Sequence, residues 1–123
     1  MKFTEEVNES SFVIHAYEAG FVNVNETLYR SSLIVSPNFI KPDWRPETFE
    51  ELCAEDLAPV LELQPEILLI GTGGRHQFPH PQILRDIYAA GIGVEIMETG
   101  AACRTYNILM AEGRRVAAAL LMI

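Results

Sequence analysis

The chain is short of cysteine, of basic residues and of long apolar runs, and each shortage removes a class of protein. Its two cysteines, Cys53 and Cys103, stand far apart with no CxxC pair or Cys/His cluster around them. That excludes a disulfide scaffold or a zinc knuckle and points to reduced thiols. Nine Lys and Arg face 17 Asp and Glu, a formal charge of −8. A field of that sign opposes a phosphate backbone or an anionic lipid surface, so nucleic acid is excluded as the expected partner. The longest apolar run, Val116 to Ile123, falls far short of the roughly 20 residues a bilayer span needs, and direct membrane insertion is not expected. The opening residues, Met1 to Glu6, have neither the apolar centre of a secretory signal nor the Arg-rich character of a transit peptide, which leads to the expectation of a soluble cytoplasmic protein. Internal repeats, low-complexity linkers, a dinucleotide or P-loop fingerprint and a metal-ligand cluster are likewise missing, so no cofactor or metal is expected.

What is present is enough for one core. With 123 residues, 49% of them apolar and 21% charged, the chain is expected to fold as a single domain over 1–123, with 1–11 as a flexible amino terminus. Up to Trp44 the pattern is β. Phe12 to Tyr17 and Phe21 to Asn25 form a hairpin around Glu18-Ala19-Gly20, with Gly20 supplying positive φ. Leu28 to Ser36 is a third strand, closed by Pro37, which cannot donate to a ladder. Ala54 to Leu63 holds a short helix with Leu57, Val60 and Leu61 inward, and Thr48-Phe49-Glu50-Glu51 offers a competing capping box.

From Glu66 the chain alternates strand and helix. Ile67-Leu68-Leu69-Ile70 is continuously apolar, as a strand covered on both faces must be. Pro81 opens a helix that ends at Gly91, and Val94-Glu95-Ile96 returns as a strand. Thr99 is placed to cap a helix carrying Ala102, Tyr106, Leu109 and Met110 on one face, with Gly113 closing it before a last strand from Val116. The fold class is therefore α/β: a three-layer arrangement around a mixed, largely parallel sheet, with an amino-terminal hairpin followed by a βαβαβ run.

Four segments carry a resemblance: Tyr29-Arg30-Ser31-Ser32-Leu33-Ile34-Val35-Ser36-Pro37, then Trp44, then Ile70-Gly71-Thr72-Gly73, and Met97 to Asn107 running into Glu112-Gly113-Arg114. Together they resemble the domain family that includes mitochondrial complex I assembly factor 3 and adipogenesis-associated domain proteins. The resemblance implies a three-layer α/β fold, a bacterial member without a mitochondrial targeting extension, and, as partners, respiratory complex I subunits or assembly intermediates.

The residues themselves offer two kinds of site. Gly71, Thr72, Gly73, Gly74 and Arg75 follow a buried strand, where an open α/β sheet commonly binds ligands, and Thr99, Gly100 and Arg104 could present a helix start to the same crevice. The competing reading is a structural glycine turn and a simple helix cap. Cys103 with His76 or His80 would make a Cys/His pair, although a buried apolar cysteine explains it more simply. Tyr106 and Asn107 could face the crevice, although helical spacing makes Tyr106 a core residue first, and His15 reads as a strand-surface or satisfied core histidine rather than a metal ligand. Trp44, between Pro42 and Pro46, is either an exposed partner anchor or the cover of a sheet edge. Without a convincing nucleophile, the sequence points to a non-enzymatic interaction protein, and the acidic surplus at Glu5, Glu6, Glu9, Glu47, Glu50, Glu51, Glu55, Asp56, Glu62 and Glu66 to a solvated face or an acidic docking patch. The rival is an anion- or small-molecule-binding domain, or enzyme, built on the crevice.

Overall fold

The computed structural model describes residues 11–123. The expectation of a flexible amino terminus falls, but for Ser11, outside them. Strands β1 (Ile14–Glu18), β2 (Phe21–Val24) and β3 (Thr27–Tyr29) form a small antiparallel sheet. The hairpin turns as the glycine requires, with Gly20 at φ +89°. Strands β4 (Leu33–Ser36), β5 (Phe39–Lys41), β6 (Ile67–Gly71), β7 (Gly93–Met97) and β8 (Val116–Leu120) form a second sheet in the order β5-β4-β8-β6-β7. Its β6–β7 and β6–β8 pairings are parallel, and β4 is antiparallel to both β8 and β5.

Three helices cover this sheet: α1 (Ala58–Leu63), α2 (Arg85–Ala89) and α3 (Thr99–Ala111). Alternation along the strands sorts the core into two faces. Ile34, Leu68, Ile70, Ala117 and Ala119 pack with Val60 of α1 and Ile87 of α2. Leu33, Val35, Leu69, Ala118 and Leu120 pack with Ala102, Cys103 and Tyr106 of α3, and with Ile14, Val22 and Val24 of the small sheet beyond it. Both faces of β6 and β8 are thus dry, which is why these strands show no polar alternation. The alanines of β8 leave room for α3 to lie close.

Three local expectations are corrected. The single strand over Leu28–Ser36 is broken at Arg30–Ser32, so β3 serves the small sheet and β4 the large one. Pro37-Asn38 is not merely an end: it turns the chain into β5, an edge strand of three residues. Thr48 makes no side-chain cap; the capping box belongs to Cys53 and Asp56, four residues after the turn Phe49–Glu51 begins.

The small sheet is tied to α3 by polar bonds as well as packing. Asn107 accepts from the Ile14 N–H at 3.0 Å and donates from Nδ2 to the Ile14 carbonyl at 2.6 Å, acting as a surrogate strand for the bulged edge of β1. Tyr106, fully buried, donates its hydroxyl to the Phe12 carbonyl at 2.7 Å, and burial raises its pKa. Replacing Asn107 with Ala removes both Ile14 bonds. It should cost about 1–3 kcal/mol in thermal unfolding and speed hydrogen exchange at Ile14 more than in β6, because only β1 loses its support.

Candidate functional site

The parallel register brings the carboxyl ends of three strands side by side, with Gly71 opposite both Met97 and Leu120. Gly71 is the only residue that fits there. A Cβ on it would stand 2.9 Å from Thr99 Oγ1 and 3.0 Å from Thr99 Cα. The strand then leaves the sheet through Thr72, whose N–H donates to the Met97 carbonyl at 2.9 Å and whose hydroxyl donates to the Arg75 carbonyl at 2.6 Å, curling the loop onto its own base.

The two junctions meet as the sequence predicts, but they are bonded to each other. Gly73, at φ +98°, donates its N–H to Thr99 Oγ1 at 2.8 Å, and the Thr99 N–H donates back to the Gly73 carbonyl at 2.9 Å. The Thr99 hydroxyl then donates to the Leu121 carbonyl at 2.6 Å. Thr99 is not the helix cap. That role falls to Glu98, whose carboxylate accepts from the Ala101 N–H and places a negative charge where a bound anion would sit. At Gly100 a Cβ would meet side chains alone, Glu98 Oε1 and Tyr17 Cε1, each at 2.9 Å.

The amides of Thr72, Gly73, Thr99 and Ala101, four donors that such a crevice would offer an anion, are therefore each spent on a protein acceptor. Arg104 is exposed and turned toward the small sheet, donating to the Tyr17 hydroxyl with its guanidinium carbon 5.9 Å from the Tyr17 ring centre. Arg75 and Gly74 are exposed on the loop. The geometry is that of a lock holding three strand ends together.

Cys103 lies buried on α3, and burial pushes its thiol up to about 12, with Arg104 opposing and Glu98 adding to the shift. It stays a neutral thiol near pH 7. The two histidines are engaged elsewhere: His80 Nδ1 accepts from the Gln82 N–H at 3.2 Å, and the His76 ring leans on Phe78 at 4.5 Å between centres. His15 is exposed. Among the described residues, no group of three or more His, Cys, Asp or Glu stands close enough to hold a metal, and no helix is long and apolar enough to cross a membrane.

Of the two readings of Trp44 the structure shows the covering one, in a segment whose Pro42, Asp43 and Arg45 are exposed. Trp44 itself is only 3% exposed, packs with Leu52 and Leu57, and donates from Nε1 to the Asp56 carbonyl at 2.8 Å. In this position it cannot reach a partner. Beside it stands a cluster that the sequence did not reveal. Arg45 donates from Nε to Asp56 Oδ1 and from Nη2 to Oδ2, both at 2.8 Å, while the Cys53 N–H donates to Oδ2 at 2.9 Å. The Arg45 guanidinium holds the Asp56 carboxyl below the usual carboxylate range, and Asp56 raises the Cys53 thiol.

Two surface cavities also escaped the sequence. A groove of about 770 Å³ opens at the far end of the sheet, between Pro37 and Phe39 of the β4–β5 turn, Leu63, Met110 and Arg115. A shallower pocket of about 420 Å³ lies between Cys53, Gln82, Arg85 and Asp86. Both are made by turns distant in sequence, and only the proline and glycine punctuation of those turns hinted at them.

A small mixed α/β domain, its parallel strand ends bolted by a glycine loop and a threonine rather than opened into a nucleotide crevice, is the class that this geometry defines. Residues 14–121 match the family described as protein of unknown function (DUF498/DUF598), and the chain belongs to that family. It is 33% identical over 112 residues to NADH dehydrogenase (ubiquinone) 1 alpha subcomplex assembly factor 3 of Danio rerio, a match that covers 89% of this chain and 63% of that relative's length. It is 31% identical over 117 residues to a 13 kDa major membrane protein of Francisella tularensis, covering 94% of this chain and 95% of the relative. A crystal structure of a Bordetella parapertussis protein superposes with a TM-score of 0.87 at 39% identity, covering 93% of this chain and 98% of that one.

Proposed function

We propose that this chain is a non-enzymatic interaction protein that serves the assembly or maturation of a respiratory membrane complex, with complex I subunits or their assembly intermediates as partners. The observation that carries the reading is the similarity, over 89% of this chain, to a relative named as a complex I assembly factor. The geometry agrees with it. The strand-end amides are spent inside the protein, and the thiol beside them is buried and neutral. A scaffold that presents its outer surface, rather than an open crevice, is consistent with both.

The test is genetic and biochemical together. Deleting the gene in its source organism should lower membrane NADH:quinone activity severalfold and leave complex I subassemblies on native gels, and the intact gene should restore both. Affinity isolation of the tagged chain in mild detergent should recover complex I subunits. Normal complex I in the deletion strain, with no complex I subunit recovered, would overturn the proposal.

A further inference from the structure

We draw no further inference here: the strongest candidate, the groove at the far end of the sheet between Phe39, Leu63, Met110 and Arg115, carries nothing, because nothing in the structure shows what covers it and the charges of Arg114 and Arg115 are offset there by Glu66 and Glu112.

Discussion

A Thr99→Val chain should melt roughly 10–20 °C below the native one, while Thr99→Ser stays close to it. Valine matches threonine in shape, so the close approach to Gly71 is preserved and the hydroxyl alone is tested. That oxygen accepts from Gly73 and donates to Leu121, both in buried bonds. Its loss strands one backbone donor and one acceptor, each at about 1–3 kcal/mol, against a total stability of about 5–15 kcal/mol for a domain of this kind. Serine keeps both bonds and loses one methyl. Thermal unfolding by circular dichroism measures the difference, and equal melting of the valine and native chains would show that the lock contributes little. Gly71→Ala gives an independent check on the same contact. Its new Cβ meets Thr99 at 2.9–3.0 Å on backbone as well as side chain, so relief requires the helix start to move.

Much of the framework was legible because local and global signals agree in it. The unbroken apolar run of β6, the positive φ at Gly20, Gly91 and Gly113, and the spacing of Ala102 and Tyr106 all point to the structure observed. Legibility ended where a tertiary partner overrode a local rule. A proline-flanked tryptophan reads as anchor or cover alike until Asp56 supplies its carbonyl from 12 residues away. Thr99 looks like a cap until Gly73 and Leu121 claim its hydroxyl, whereupon Glu98, one residue earlier, takes the cap. Strand β5 has three residues and almost no period to detect. The two junctions do converge, Gly71 and Gly73 lying against Thr99. What the sequence could not state is that Gly73 and Thr99 bond each other while Thr72 is spent on Met97 and Arg75 and the Thr99 hydroxyl on Leu121.

Acid should erode the stability of the native chain more steeply than that of an Asp56→Ala variant. Asp56 is only 8% exposed, receives both arms of Arg45 and the Cys53 N–H, and so keeps its proton off well below the ordinary carboxylate range. In the unfolded chain the same carboxyl titrates near its usual value of about 3.9. Between those two points the unfolded state binds more protons, so stability rises with pH through the window, is complete above it, and is lost as pH falls toward the folded value. Removing the carboxylate with Asp56→Ala should therefore cost about 2–4 kcal/mol at pH 7, from the lost cap and a lost charge-assisted pair. The penalty should shrink as pH falls through the usual carboxylate range toward the folded value, where the native chain itself gives up the charge. Glu66, whose carboxyl is lowered first by the Arg115 N–H and then by Arg114, adds acid sensitivity of the same sign. The two parts of the slope separate in urea midpoints of native, Asp56→Ala and Glu66→Gln chains across the acid range. A pH-independent penalty for Asp56→Ala would mean that packing beside Trp44, and not the carboxylate, holds this corner of the fold.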